Sequence, residues 1–466
     1  MRIRVFGQYI HLPFALLTAV EAGWFFIAFI AASAAGMRLD LVTFELQASD
    51  FWPRALLFSL MIVVSLLAFG LYSARQRARF AGMVVRIAIA TGVAVLATLL
   101  LFNVLLGMWT DGSVVMFATG GAVIGLTLSR AVFSRVVDES LFKRRVLVYG
   151  SGRNAAPILG LRRRSDRRGF ILVGFVQPDG EDVSIARELL LEPSVRLSEL
   201  CARHNVDEVV VAMEDRRRNF PILELLECRL AGIDVSELLT FLERETGRVH
   251  IDVLNPSWMI FGEGFRRDPL RLFSSRMLDL AASSFILLLT WPLMLVTMLA
   301  IKLEDGWRAP VFYAQPRVGL GGRVFNVLKF RSMRVDAERE GKAVWAMRGD
   351  TRVTRVGSFI RKTRIDEIPQ ILCVFRGHMS LVGPRPERPE FVSELSEKIP
   401  YYIQRHCVKP GITGWAQLCY PYGSSAQDAL EKLQYDLYYI KNNSLLFDLT
   451  ILLQTAEVVF MGKGAR

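Results

Sequence analysis

Cysteine and histidine are scarce in this chain and do not cluster. The five cysteines (Cys201, Cys228, Cys373, Cys407 and Cys419) form no CxxC pair, and the five histidines form no HxxH pair. That spacing excludes a disulfide framework and a zinc site as organising features. Free thiols suit a reducing cytosolic face. No lysine has a tyrosine four positions before it. A membrane-tethered nucleotide-sugar dehydratase or epimerase, which needs that pair, therefore ranks low. No cleavable signal is evident, because the first apolar run is long enough to stay as a span. Acid is also in deficit: 45 Asp and Glu stand against 57 Lys and Arg, a net charge of +12.

The 466 residues suffice for two or three domains. The hydrophobic fraction is 52%, mean hydropathy is +0.32 and the pI is near 9.7. A chain both apolar and basic reads as a membrane protein with its positive loops in the cytoplasm. Nucleic-acid binding is the other reading of a basic chain. It is set aside because many of the arginines flank apolar segments or lie near an acidic pair.

Four apolar segments fill the first third, roughly Leu12 to Ala35, Trp52 to Tyr72, Met83 to Gly107 and Val114 to Leu128. Three reach the ~20 residues that cross a bilayer. The fourth extends through Val137 if Arg130 and Arg135 snorkel. Arg2 and Arg4, then Arg75, Arg77, Arg79 and Arg86, then Arg130 to Arg145 mark the cytoplasmic side. The expectation is a four-helix transmembrane bundle over residues 1–140 with both ends in the cytoplasm.

An apolar strand at Arg145–Tyr149 then enters Gly150-Ser151-Gly152, with a helix expected over Arg153–Leu161. Further strands are expected at Phe170–Val176 and Val206–Met213, with a helix over Ile185–Leu200 between them. The alternation predicts a Rossmann-like parallel α/β domain over residues 141–265. A GxGxxA turn can cradle a pyrophosphate at a helix N-terminus. The acid expected about 20 residues on is absent, since Asp179 comes late. A structural or regulatory domain is the better reading, and the turn's ligand stays open.

A fifth apolar segment runs from Met277 to Ile301, interrupted at Thr290-Trp291-Pro292. A full crossing would put everything after it outside. Yet Arg266, Arg267, Arg271 and Arg276 precede it, and Lys302 and Arg308 follow, so both flanks favour the cytoplasm. A proline in mid-segment removes an amide donor and kinks a helix. The economical reading is a re-entrant helix over 274–301, broken at Pro292 and covered by its own domain. A kinked fifth span is the alternative. Beyond it, Asp428–Asn442 and Leu445–Met461 read as helices that could lie on the bilayer surface.

The densest chemistry lies between Arg361 and Pro386. Asp366-Glu367 sits among Arg361, Lys362 and Arg364, with Arg376 and Arg385 beyond. Carboxylates can attack or hold a cation while guanidiniums hold oxyanions, so the mixture suits work on a phosphate. A salt-bridged helix end is the plain alternative. Ile368-Pro369 marks a helix start running to about Phe375. The acidic pair therefore falls at or just before a helix N-terminus, which favours ionised carboxylates. An ionised aspartate can act as a nucleophile on phosphorus. A neighbouring glutamate can hold a hard cation or take a proton. Lys329 and Arg331 alternate at the end of a strand expected at Val324–Leu328 and so share one face. Gly383-Pro384-Arg385-Pro386 is a rigid turn that presents one guanidinium.

Four segments together resemble the bacterial sugar transferase family: Lys-Phe-Arg-Ser-Met (329–333), Arg-Ile-Asp-Glu-Ile-Pro-Gln (364–370), Met-Ser-Leu-Val-Gly-Pro-Arg-Pro (379–386) and Lys-Pro-Gly-Ile-Thr-Gly-Trp-Ala-Gln (409–417). The resemblance covers about residues 270–466. It implies an α-rich phosphoglycosyltransferase catalytic domain over 266–466. The implied reaction moves a sugar-1-phosphate from a UDP-sugar to undecaprenyl phosphate and releases UMP. Asp366 would be the nucleophile and Glu367 the magnesium ligand or base, with Asp366 also near the Mg2+. Arg361 would contact phosphate, as would Lys329, Arg331 and Arg385; Gln417 completes the substrate-binding set. Pro292 matches the family's helix break, although the family often has Ser-Pro where this chain has Trp291-Pro292. Many members carry an acid where His378 stands, so His378 is given no role. Tyr420-Pro-Tyr-Gly-Ser-Ser425 resembles a branch associated with exopolysaccharide loci. The expected partners are the UDP-sugar, undecaprenyl phosphate and inner-membrane lipid, with self-association open. A non-catalytic export scaffold would explain the spans but not the acid–arginine cluster. Which sugar is carried is not legible; glucose and galactose lead, with N-acetylated sugars behind.

Overall fold

The computed structural model describes residues 2–5, 8–38, 48–68, 71, 80–105, 107, 112–136, 143–161, 169–191, 195–215, 219–254, 259, 268–334, 352–420, 423 and 425–460. The chain divides into two compact units, Met1–Gly247 and Arg248–Arg466.

The first unit opens with a short hairpin, β1 (Arg2–Val5) and β2 (Gln8–His11), that leads into helix α1 (Leu12–Arg38). Three more apolar helices follow: α2 (Ala48–Ala68), α3 (Phe80–Leu100, extended by a π turn over Leu101–Leu105) and α4 (Gly112–Val136). α1 packs on α2 and α4, and α3 packs on α2 and α4. Phe25, Phe29, Phe58 and Phe102 fill the space between helices, while Leu16, Leu56, Leu96 and Phe117 face outward. Apolar side chains on both the inner and outer faces are what a lipid-facing helix carries. Within α1 and α4, Leu16–Ala35 and Gly112–Val132 are long and apolar enough to cross a membrane; the corresponding stretches of α2 and α3 are shorter.

Helix α4 extends past Leu128, as expected, but Arg130 does not snorkel. Its Nε lies 3.4 Å from Oε1 of Glu21 on α1, and Ser129 Oγ donates to the same oxygen at 3.0 Å. An isolated charge is costly among apolar helices, so Arg130 turns inward to the buried carboxylate instead of outward to water. Trp24 Nε1 donates to Gly121 O at 2.9 Å. Its ring fills the space where a Cβ on Gly125 would fall. That glycine is what lets α1 and α4 approach.

The α/β part of this unit is a parallel sheet in the order β4-β3-β5-β6. Its strands are β3 (Arg144–Tyr149), β4 (Phe170–Val176), β5 (Glu208–Val211) and β6 (Asp234–Glu237). The central strands read as continuous apolar runs because both faces are covered. Val146, Val148, Val209 and Val210 are all buried. The crossovers use α5 (Ala156–Leu159), α6 (Leu197–Arg203) and α7 (Ile222–Leu230), and α8 (Leu238–Thr246) follows β6.

Two expectations need correction here. The helix after the glycine turn is a single turn, Ala156–Leu159, rather than Arg153–Leu161. Ile185–Leu200 is not one helix either. A 3-10 turn at Arg187–Leu189 leads to a bridge between Leu190 and Phe175, and helix starts only at Leu197. Leu191 N donates to Phe175 O, so this stretch extends the edge of β4. Tertiary pairing wins over helical periodicity.

The second unit begins at Arg248. Its longest element is α9, Pro269–Asp305, which is 37 residues long and contains Pro292. The interruption expected at Thr290–Pro292 does not end the helix, whose assignment is continuous through the proline. Asp268 caps it by accepting from Leu270 N at 3.1 Å. α9 is a third helix long and apolar enough to cross a membrane. An antiparallel hairpin follows, β7 (Phe312–Val318) with β8 (Val324–Phe330). Then come α10 (Arg355–Lys362), α11 (Gln370–Phe375) and β9 (Ser380–Val382). α12 (Pro389–Lys398) is followed by β10 (Gly411–Thr413), which pairs in parallel with β9. α13 (Trp415–Cys419), α14 (Ala426–Asn442) and α15 (Leu445–Phe460) complete the unit. Met294 and Ile301 of α9 pack with Phe330 and Ile360 in its core.

Candidate active site

The acidic pair sits on a 3-10 turn, Ile365–Glu367, just before α11, where the Ile368-Pro369 signal put it. The chain enters that turn through Arg364 in the left-handed region, φ 59°. Few non-glycine residues hold that conformation unless their surroundings fix it. The reversal points the two carboxylates at different neighbours.

Glu367 gathers cations. Its Oε1 lies 3.0 Å from Lys329 Nζ on β8, 3.1 Å from Arg385 Nη2 and 3.6 Å from Arg364 Nη1. Burial alone would raise its carboxyl, but Arg385, Lys329 and Arg364 overcome this and hold it at about 2. Asp366 behaves oppositely. Its side chain is buried and its Oδ1 has no hydrogen-bond partner among the described residues. Burial raises its carboxyl first and the Glu367 charge adds to that, against Lys329, Arg364 and Arg361. One oxygen of Glu367 thus takes two charged donors, while Oδ1 of Asp366 is a buried oxygen with no hydrogen-bond partner among the described residues, in a field of cations. Buried polar atoms are nearly always paired, so this unpartnered carboxylate oxygen singles Asp366 out as a candidate to contact an incoming group.

The remaining site residues fall into place around this pair. Arg385 Nη1 donates to Gln417 Oε1 at 3.1 Å, which brings the third and fourth motifs together. The Arg385 segment is held on every side. Gly383 N bonds Thr413 O, Gly411 N bonds Pro384 O, and Val318 N bonds Glu387 O. Arg361 lies in the last turn of α10, its charge close enough to act on Asp366. Arg331 departs from the expected grip. Lys329 reaches Glu367, whereas Arg331 lies beyond the end of β8, where the charge it acts on is Asp305 at the end of α9. Arg331 follows the last residue of β8, Phe330, and its amide still pairs with Val311 O at 2.9 Å. His378 is exposed beside Phe325, away from these contacts.

Two supporting residues escaped the sequence reading. Asp279, a lone acid in the apolar run of α9, accepts from Ser380 Oγ at 2.9 Å and Leu381 N at 2.8 Å. An acid inside an apolar helix is a signal that could have singled it out. Arg405, fully buried, donates to Arg385 O at 3.0 Å. Nothing local in the sequence distinguishes it from any other arginine.

The carboxylates also bear on a metal. Among the described residues no three His, Cys, Asp or Glu side chains gather into a cage. Magnesium is often held by one or two carboxylates plus substrate phosphates, and the open Asp366 oxygen beside Glu367 fits that pattern. The cations on Glu367 leave Asp366 the freer ligand of the two.

The glycine turn of the first unit is built differently. Two of its amide donors already have carboxylate partners within the chain. Ser151 N donates to Glu181 Oε2 at 3.1 Å, Arg153 N donates to Glu214 Oε1, and Glu214 N donates to Glu181 Oε1 at 3.0 Å. A Cβ on Gly152 would strike both carboxylates. The glycine allows the chain's own acids to close over the turn.

Residues 270–462 match the family described as bacterial sugar transferase. A UDP-N-acetylgalactosamine-undecaprenyl-phosphate N-acetylgalactosaminephosphotransferase from Aeromonas hydrophila is 40% identical over 311 residues, 66% of this chain and 70% of that protein. A UDP-glucose:undecaprenyl-phosphate glucose-1-phosphate transferase from Xanthomonas campestris pv. campestris is 32% identical over 371 residues, 77% of this chain and 74% of that one. A protein with that same description from Escherichia coli (strain K12) is 41% identical over 191 residues, 40% of each chain. The chain belongs to the bacterial sugar transferase family and is a membrane-associated phosphoglycosyltransferase.

Proposed function

We propose that the protein transfers a sugar-1-phosphate from a UDP-sugar to undecaprenyl phosphate and releases UMP, as the first step of exopolysaccharide assembly. The observation that carries the chemistry is the division of labour between adjacent acids. Glu367 is neutralised by three cations, while Asp366 keeps an oxygen with no hydrogen-bond partner among the described residues. That oxygen attacks the phosphorus next to the sugar. A new Asp366 O–P bond forms, the P–O bond to UMP breaks, and UMP leaves with the electron pair. An oxygen of the lipid phosphate then attacks the same phosphorus and frees the carboxylate. A covalent intermediate means that the two substrates need not be bound together.

Arg385, Lys329, Arg364 and Arg361 supply fixed positive charge where the phosphate charge shifts, the usual source of catalysis in phosphoryl transfer. Gln417 steadies Arg385. Asp366 and Glu367 would hold magnesium together with the donor's phosphates, and that ion would neutralise the diphosphate and the departing UMP. The two relatives with the longest matches described above are named for UDP-N-acetylgalactosamine and UDP-glucose. Both are donors to test.

The same reading places α1–α4 as a four-helix bundle in the bacterial inner membrane, with the catalytic unit on the cytoplasmic side. The polar contacts of α9 support a re-entrant course. Near its start, Arg276 donates to Val374 O and Phe375 O at 2.6 and 2.7 Å. Near its end, Glu304 accepts from Arg355 N and Val356 N at 2.7 and 2.9 Å. Both ends are thus tied to one unit, while Phe285, Leu288, Leu289 and Val296 between them are exposed. A straight helix of this length would run about 55 Å, beyond a hydrocarbon core of about 30 Å. Pro292, which cannot donate to the preceding turn, is where the bend falls.

The test is to incubate the full chain in detergent with donor labelled in the β-phosphate, omitting the lipid. The expected result is label bound to Asp366 with stoichiometric UMP. UMP release only when lipid is added, with no adduct, would overturn the two-step mechanism.

A further inference from the structure

The segment Gly383-Pro384-Arg385-Pro386-Glu387-Arg388-Pro389 contains three prolines. It can donate few backbone hydrogen bonds of its own, so its course depends on donors brought to its carbonyls. One donor is unusual. Arg405, on the 3-10 segment Tyr402–Cys407, is buried to 6% exposure, and its Nη2 donates to Arg385 O at 3.0 Å. The same Nη2 lies 2.9 Å from Oδ2 of Asp436 on α14, itself 2% exposed. Nη1 donates to Tyr402 Oη at 2.7 Å, and the guanidinium sits 5.1 Å over the Tyr402 ring. Arg317 Nη1 donates to the next carbonyl, Pro386 O, at 3.1 Å.

We propose that the buried Asp436–Arg405 pair is a positioning device for catalysis: it fixes the main chain of Arg385, so that the guanidinium of Arg385 meets Glu367 and the donor phosphate in one geometry. Burying an ion pair gains little net stability compared with apolar packing. What a buried pair does well is fix a geometry, because each partner is intolerable without the other. Here Arg405 bonds the carbonyl of the very residue whose side chain enters the site, and Asp436 holds Arg405 in place. Neither touches Asp366 or Glu367. Their effect on the reaction must therefore pass through Arg385, which makes the device separable from the chemistry.

This inference rests on the proposed transfer reaction, and a double-mutant cycle tests it. Arg405→Lys keeps the charge but loses the planar guanidinium, whose Nη2 holds Asp436 and Arg385 O while Nη1 holds Tyr402 Oη. Asp436→Asn keeps the volume and removes the charge. In the full-length protein each should raise KM for the UDP-sugar and lower kcat/KM about tenfold, with KM for undecaprenyl phosphate within twofold of wild type. In an Arg385→Lys background the same changes should alter kcat/KM by less than twofold, because the group they position no longer makes its forked contact. UDP-sugar binding to each variant, measured without turnover, gives the same cycle if Arg385→Lys is too slow to assay. Equal losses in both backgrounds, or equal increases in both KM values, would show a merely structural pair and overturn the proposal. Should Arg405→Lys fail to fold, Asp436→Asn carries the cycle alone. Full transfer by an Asp366→Asn enzyme would sink the underlying reaction instead, a distinct outcome.

Discussion

Two places in this molecule have the makings of a phosphate site, and they are finished in opposite ways. The glycine turn after β3 offers backbone amides, but Glu181 and Glu214 already accept from them. The turn before α11 offers cations and carboxylates, and it leaves Asp366 Oδ1 with no hydrogen-bond partner among the described residues. Glycine spacing or charge density alone would rank the two alike. What separates them is whether the chain satisfies its own donors and acceptors. A carboxylate is a fair mimic of a phosphate oxygen, so a turn filled by glutamates has its ligand built in. A buried carboxylate oxygen left open costs free energy and persists where an incoming group will use it.

The comparison breaks most decisively at Asp366. Asp366→Asn should reduce UMP release by at least about a thousandfold, the loss expected when a covalent nucleophile is removed. It should also raise thermal stability at neutral pH. The folded-state pKa of Asp366 lies above its unfolded value. The ionised form therefore costs stability, a cost absent below the unfolded pKa and fully present above the folded one. A thermal melt of the variant checks the sign: a lower Tm at pH 7 would contradict the account of an open, poorly satisfied carboxylate.

Glu367→Gln sharpens the contrast between the neighbours. We expect a loss of about a hundredfold in kcat/KM, from removing the anchor of Lys329 and Arg385. Its pH profile is the more telling measurement. On the proposed mechanism transfer requires ionised Asp366, so the wild-type rate should fall as pH drops through the raised Asp366 pKa. The Glu367 charge is one cause of that rise, so Glu367→Gln should move the acid limb to lower pH. Movement to higher pH would mean that the two acids are not coupled as the geometry requires.

The smallest effect is expected at the other turn. Glu181→Gln with Glu214→Gln weakens charge-assisted bonds to Ser151 and Arg153, which contribute about 1–3 kcal/mol each when intact. Tm should fall by a few degrees while kcat/KM stays within twofold. A large loss of transfer would make this turn part of the working enzyme and collapse the distinction.

Much of the site was legible in order along the chain. The Ile368-Pro369 boundary located the acidic turn, and the strand ending in Lys329 carried that lysine to Glu367. Alternation alone did not show that Lys329 meets Glu367 while Arg331 acts on Asp305 at the end of α9. The helix expected over Ile185–Leu200 failed for a related reason. Its apolar spacing suited a helix, but the open edge of β4 claimed Leu190 and Leu191.

The sequence alone determined that the first third is a series of apolar segments, where the parallel strands run and which motif carries the acidic pair. Those are properties of local composition and spacing. Only the tertiary structure decided that Arg130 faces Glu21, that the glycine turn closes on its own glutamates, and that Glu367 rather than Asp366 collects the cations. Each depends on side chains far apart in the chain competing for the same buried partner, and that competition is settled by distance in space.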